Sequence, residues 1–343
     1  MSTKSQAKGG EKGFSKSGAS IDVSVDFCGI KLRNPLVLAS GIVDTTASSL
    51  IFAVENGAGA VTCKSISIEP RKGHGSPIII TNESGMLNAV GLSNPGLSSS
   101  IEEIKDAKKR LAAHKDKELR DAPIIGNVFA TSIDDFAKAA KEISKSECEM
   151  LELNLSCPNV KDEFGEPFAC NPILAAELTK AVKKALKEVE KETNKNIKMP
   201  ILVKLAPNVP DIAKIAKAVE AAGADGITAI NTMPGMMLDL KTGKPILTNK
   251  SGGFSGPNLK PIAVKCIYDI YKSVKIPILG TGGVTTGKDA VELMMAGATA
   301  VGIGTAVYYR GIDCFKKIND EIIEWMKENN ISSLKEIIGK AHR

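Results

Sequence analysis

Short apolar, β-branched runs recur along the chain with amphipathic segments between them. They fall at 35–40 (PLVLAS), 59–65 (GAVTCKS), 123–129 (PIIGNVF), 150–156 (MLELNLS), 200–206 (PILVKLA), 226–231 (GITAIN), 276–282 (IPILGTG) and 300–306 (AVGIGTA). Strands that are apolar on both faces and alternate with helices describe a parallel sheet. Helical patterns fill the intervals at 46–56, 133–145, 172–192, 209–222, 260–273 and 287–296, and another, 313–329, follows the last run. Eight strands, each followed by a helix, predict an α/β protein with a (β/α)8 TIM barrel, and a doubly wound open sheet is the alternative.

The polar residues at the run ends favour the barrel. Ser40, Lys64, Asn127, Asn154, Lys204 and Asn231, with Gly282 and Gly304, lie at or just past C-terminal strand ends. A barrel gathers those ends at one rim, where active sites are built, whereas an open sheet spreads them along a crevice. Before the first barrel strand, 21–35 (IDVSVDFCGIKLRNP) alternates around Cys28-Gly29 and predicts a small N-terminal hairpin closing the barrel floor.

Composition narrows the class. With 343 residues, 43% of them hydrophobic, the chain can bury a large core. Its net charge of +6 is spread along helix-like segments and favours no nucleic-acid partner. Seven cysteines without a CxxC pair fit a reduced protein with no structural zinc and no iron–sulfur cluster of its own. Residues 1–20, rich in Ser, Gly and Lys, are expected to be a disordered tail, leaving 21–343 as one catalytic barrel domain. No run resembles a signal peptide, a transit peptide or a membrane span, so the expectation is a soluble, cytoplasmic protein without a membrane partner.

Candidate chemistry collects at the strand ends. In 279–290 (LGTGGVTTGKDA), Gly282 to Lys288 fits the start of a nucleotide P-loop, but Asp289 stands where Mg²⁺ coordination needs Ser or Thr. What remains is a glycine-rich strand end before a helix, repeated at 302–306 (GIGTA), which suits a phosphate in the loops after strands seven and eight. Lys64 and Lys204 sit inside strand-like runs, where a lysine either pairs with a barrel carboxylate or serves an anionic ligand. With Glu69 and other nearby acids in loops, the ligand reading is preferred. The run 83–97 (ESGMLNAVGLSNPGL) reads as a long rim loop whose N–H groups, with Asn88, suit a carboxylate. Cys63, Cys148 and Cys266 read as small buried apolar residues. Cys157 instead follows a strand end among Asn154, Ser156 and Asn159, where cations and amide donors lower a thiol pKa toward use as a base. The three histidines, His74, His114 and His342, offer no competing base.

With these residues placed, the chain resembles the class 1 dihydroorotate dehydrogenases from about Val23 onward. The marks, in order, are NPLVLASG, KSISIEPR, SGMLNAVGLSNPG, LELNLSCPNV, VKLAPN, INT, GGFSGP, GTGGV and GIGTA. The resemblance implies an FMN-containing barrel that oxidises (S)-dihydroorotate to orotate in pyrimidine biosynthesis. FMN would be held by Ser40, Lys64, Ser65, Asn127, Asn154 and Lys204, and by Ile230, Gly256, Gly282, Gly283, Gly304 and Thr305. Substrate would meet Lys64, the loop Asn88, Ala89, Val90, Gly91 and Leu92, and then Asn154, Asn231 and Thr232. Cys157 would remove the C5 proton while hydride leaves C6 for flavin N5.

The segments SCPNVKDEFGEPFACNP and SGGFSGPNLKPIA look like class 1B. That class implies NAD as acceptor and a homodimeric core joined by an electron-transfer subunit carrying FAD and a [2Fe-2S] cluster. A fumarate-using class 1A homodimer is the nearer alternative. A tRNA dihydrouridine synthase would need an appended RNA-binding domain, yet only about 37 residues follow Ala306. A non-catalytic phosphate-binding barrel would need no rim thiol.

Overall fold

The computed structural model describes residues 21–155, 168–194 and 198–343. Strands β1 (Val25–Phe27) and β2 (Ile30–Leu32) pair antiparallel. Their turn places Cys28 and Gly29 at φ 56° and 79°, the backbone of the tight hairpin turns that follow strand twist. Phe27 and Leu32 are fully buried. The Cys28 thiol donates to Asp225 O, just before the sixth barrel strand (3.3 Å). The hairpin therefore closes the floor, as its alternation predicts.

Next come β3 (Leu36–Leu38) and β4 (Ala60–Thr62), then β5 (Ile79–Asn82) and β6 (Gly85–Asn88). They are followed by β7 (Ile124–Val128), β8 (Met150–Asn154), β9 (Ile201–Leu205) and β10 (Gly226–Ala229). The last four are β11 (Met233–Gly235), β12 (Gly252–Ser255), β13 (Ile278–Thr281) and β14 (Ala300–Ile303). Strands β3, β4, β7, β8, β9, β10, β13 and β14 close into one parallel barrel in that order. Each of the eight apolar runs supplies one of them. Leu36–Leu38 and Met150–Asn154 are buried throughout, because inner side chains fill the barrel and outer ones meet helices.

Helices follow the strands where the periodicity places them, at Ala47–Glu55, Ile133–Ile143, Pro172–Thr193, Ile212–Ala221, Lys260–Tyr271, Gly287–Ala296 and Cys314–Glu328. Their starts carry side-chain caps that satisfy otherwise free N–H groups: Ser132 accepts from Asp135 N, Asn171 from Ile173 N and Asp211 from Lys214 N. No helix among the described residues is long and apolar enough to cross a membrane. The expected tail, 1–20, and the segment holding Ser156, Cys157 and Asn159 lie outside the described residues.

One expectation changes. The 83–97 run is not loop throughout, because Gly85–Asn88 forms β6, which pairs with β5 and β12 in an antiparallel sheet ordered β11-β12-β6-β5. Its partner β12 lies more than 160 residues away, and Gly85, where an added Cβ would lie 2.3 Å from Ser255 O, allows the approach. Period-two alternation then sorts β6: Leu87 packs with Ala89 and Leu247, while Met86 and Asn88 face the rim.

Candidate active site

A cavity of about 610 Å³ opens at the C-terminal ends of the barrel strands, a size suited to a cofactor and a small substrate. Its walls include Ser40, Lys64, Ser65, Asn154 and Lys204 from the barrel and Asn88, Val90, Gly91 and Leu92 from the rim segment. Ile230, Asn231 and Thr232 follow β10 on the same wall, with Gly256 beside them. Gly282, Gly283, Gly304 and Thr305 form the far end. Two residues expected at ligands lie elsewhere. Asn127 is fully buried and absent from the lining, although its Oδ1 has no partner among the described residues, and Ala89 is buried in the small apolar cluster with Leu87 and Leu247.

Beneath the cavity is a buried polar network. Glu152 Oε1 accepts from Asn127 Nδ2 (2.5 Å) and Lys204 Nζ (3.3 Å), and Oε2 accepts from Thr228 Oγ1 (2.7 Å). Glu152 is 1% exposed and Lys204 6%. Burying either charge without its partner costs several kcal/mol, so the pair fixes the ammonium in place. Lys204 therefore has a barrel carboxylate as well as a place on the cavity wall, which amends the expectation that a ligand takes the place of such a partner. The acid was hidden inside the strand: Glu152 sits two residues before Asn154 in LELN, so the two share a face. One step higher, Asn154 Nδ2 donates to Ser65 Oγ (3.1 Å), and Ser65 Oγ lies 3.4 Å from Ser40 Oγ.

Asp44 is buried behind the wall, where its carbonyl accepts from Lys64 N (3.0 Å). Its Oδ2 accepts from Gly41 N (2.5 Å) and Ser40 Oγ (3.3 Å). Burial pushes the Asp44 carboxyl above the usual carboxylate range, while the Lys64 charge and these donors pull it back. Cys63, Cys148 and Cys266 are buried as expected. Burial raises the thiols of Cys63 and Cys148, and pushes Cys266 up to about 11, so none is a thiolate near neutral pH.

The far end suits a phosphate. Gly282 and Gly283 hold φ of 136° and 76°, a backbone that L side chains rarely adopt. An added Cβ at Gly283 would lie 2.4 Å from Lys260 N. Among the described residues, the N–H groups of Gly283, Gly304 and Thr305 meet no acceptor. Thr281 Oγ1, on the same wall, is buried without a partner among them. Asp289 explains the failed P-loop match. As third residue of the helix Gly287–Ala296, it caps Thr285 and Thr286 and binds Lys260 Nζ (2.8 Å). Burial opposes its ionisation, but Lys260 and these donors hold it down at about 2.

The donor set fits FMN: free N–H groups for a phosphate at one end, then an ammonium and amides toward the middle of the cavity. Sequence reasoning missed Glu152, Thr228, Thr281 and Tyr308. The last lines the mouth beside Thr81, whose Oγ1 lies 3.2 Å from its hydroxyl.

A closed (β/α)8 barrel with an ion-lined cavity at its C-terminal rim defines a barrel enzyme. The family model for dihydroorotate dehydrogenase matches residues 22–326, and the chain belongs to that family. It is 45% identical over 320 residues to a protein of Methanocaldococcus jannaschii named dihydroorotate dehydrogenase B (NAD(+)), catalytic subunit, covering 93% of this chain and 98% of that one. A Pyrococcus abyssi protein of the same name is 44% identical over 319 residues, 93% of this chain and 99% of its own. Among solved structures, Eimeria tenella DHODH in complex with ferulenol superposes with a TM-score of 0.80 at 23% identity, covering 97% of this chain and 92% of that one, a likeness of fold.

Proposed function

We propose that this chain, with 21–343 as one catalytic domain, oxidises (S)-dihydroorotate to orotate as the catalytic subunit of an NAD-linked dehydrogenase. The observation that carries the reading is the rim cavity, where N–H donors, the Lys64 and Lys204 ammonium groups and three Asn side chains converge in a member of this family.

FMN, when bound, supplies the hydride acceptor. Gly282, Gly283, Gly304 and Thr305 would hold its phosphate, and Ser40, Ser65, Ile230, Gly256 and Lys204 would hold the remainder, with Asn127 acting from below through Glu152. The Lys204 ammonium offsets negative charge beside it. Asn88, Asn154 and Asn231 pair donor and acceptor edges with the pyrimidine ring. Lys64 and the N–H groups after Asn88 hold the carboxylate, and Thr232 closes the far side. Cys157, outside the described residues, is assigned the C5 proton. Its thiolate accepts that proton as hydride leaves C6, so substrate loses two electrons and two hydrogens.

The names of the relatives support NAD as final acceptor. A second subunit is inferred because those relatives are called catalytic subunits, and the class 1B resemblance assigns FAD and a [2Fe-2S] cluster to it, this sequence having no cysteine spacing for a cluster. A homodimeric core in the cytoplasm completes the proposal.

Anaerobic addition of dihydroorotate to the purified chain is the test. The flavin absorbance is expected to bleach, and a bound flavin that stays oxidised sinks the assignment. Cys157→Ser is expected to keep its flavin and slow bleaching about 10²- to 10⁴-fold; unchanged bleaching removes Cys157 from the reaction.

A further inference from the structure

We propose that His74 and Arg71 are positioning residues that turn three successive peptide groups of the 88–92 segment into the cavity, forming the receptor for the substrate carboxylate. The inference rests on the function proposed above and deepens it. Ala89 O accepts from His74 Nδ1 (3.0 Å), Val90 O from His74 N (3.1 Å) and Gly91 O from Arg71 Nε (3.0 Å). In a trans peptide the carbonyl and the following N–H point in opposite directions. With three carbonyls drawn toward 71–74, the N–H groups of Val90, Gly91 and Leu92 face the other way.

That other way is the cavity. Val90, Gly91 and Leu92 line it, and residues 71–74 do not. Among the described residues, none of the three N–H groups has an acceptor. Gly91 and Leu92 hold φ of 74° and 58°, left-handed backbone that turns the segment away from an extended strand at this wall. Lys64 and Asn88 stand on the same wall. Unclamped, these peptides could rotate and present carbonyl oxygens to an anion, reversing the sign of the local field.

The two segments are also in contact too close for a side chain between them. An added Cβ at Gly91 would lie 2.7 Å from His74 N and 2.8 Å from its ring, and one at Gly73 would lie 2.3 Å from Val90 O. A carbonyl only accepts, so His74 Nδ1 carries the proton.

Isothermal titration of the flavin-loaded chain with orotate and with orotate methyl ester, which lacks the anionic carboxylate, tests the inference. His74→Ala is expected to weaken orotate about tenfold and the ester by less than about twofold. His74→Asn, whose amide can still donate to Ala89 O, is expected to recover orotate affinity to within about threefold. Arg71→Lys keeps the charge, loses the Nε donor and is expected to act like His74→Ala, which covers a His74→Ala variant that fails to fold. Equal weakening of both ligands, or unchanged orotate affinity in the Ala and Lys variants, overturns the inference while leaving the proposed function in place. Wild-type protein that binds neither ligand overturns the proposed function and the inference with it.

Discussion

At the floor of the barrel, Phe27 and Leu32 are fully buried under a two-stranded hairpin. At the rim, the same barrel buries a carboxylate, an ammonium, an amide and a hydroxyl, joined through Glu152. The floor gains stability from apolar area removed from water and needs no directional partner. The rim must offset desolvation by hydrogen bonds and opposite charge, and its surplus donors point into a cavity. The contrast separates stability from chemistry along one set of strands: substitutions at the floor should unfold the protein without altering the site, and those at the rim should alter both in ways that can be uncoupled.

The largest effect is expected at the floor. Phe27→Ala should cost about 3–5 kcal/mol in urea unfolding, with unchanged orotate affinity in the folded fraction. Weakened orotate binding there would break the separation. Next, Glu152→Gln removes the carboxylate facing the Lys204 ammonium and should cost about 3 kcal/mol. The double variant Glu152→Gln/Lys204→Met should recover most of that stability yet still lose flavin affinity, measured by equilibrium dialysis of FMN. Full recovery of both would reduce the pair to a structural element.

The smallest effect sharpens the boundary between the two regions. Asp289→Asn keeps a capping side chain but loses the charge that faces Lys260, and should cost about 1 kcal/mol at neutral pH. The Asp289 pKa is depressed from 3.8 to about 2. Its contribution to stability is thus present above the ordinary carboxylate pKa and is lost as pH falls toward 2. The stability gap between variant and wild type, followed by urea titration, should narrow below pH 3.8 and close near 2; a gap that stays constant in acid would show that Asp289 is not held ionised by Lys260.

Much of this was legible in the residues. The eight apolar runs, the helical periods between them and the Cys28-Gly29 turn act locally, so the barrel and its hairpin could be read directly. Most of the candidate site could too, because polar residues that end buried strands have one rim to share. Asn127 and Ala89 do not line the cavity, the first fully buried behind its wall and the second turned into the apolar cluster, since neither depth nor the direction of a single side chain after a strand is encoded locally. Glu152 was passed over as part of an apolar run, although its spacing from Asn154 carried the signal.

The sequence by itself determined the barrel, the rim on which the chemistry gathers and the glycines that bring backbone close to a ligand, because period, turn preference and steric freedom belong to short stretches of chain. Only the tertiary structure decided that Lys204 meets Glu152, that Gly85–Asn88 becomes a strand, and that His74 and Arg71 grip three carbonyls of the 88–92 segment. Each of those depends on residues far apart in the chain, or on adjacent loops folded back on one another, whose meeting is fixed by barrel closure rather than by any local preference.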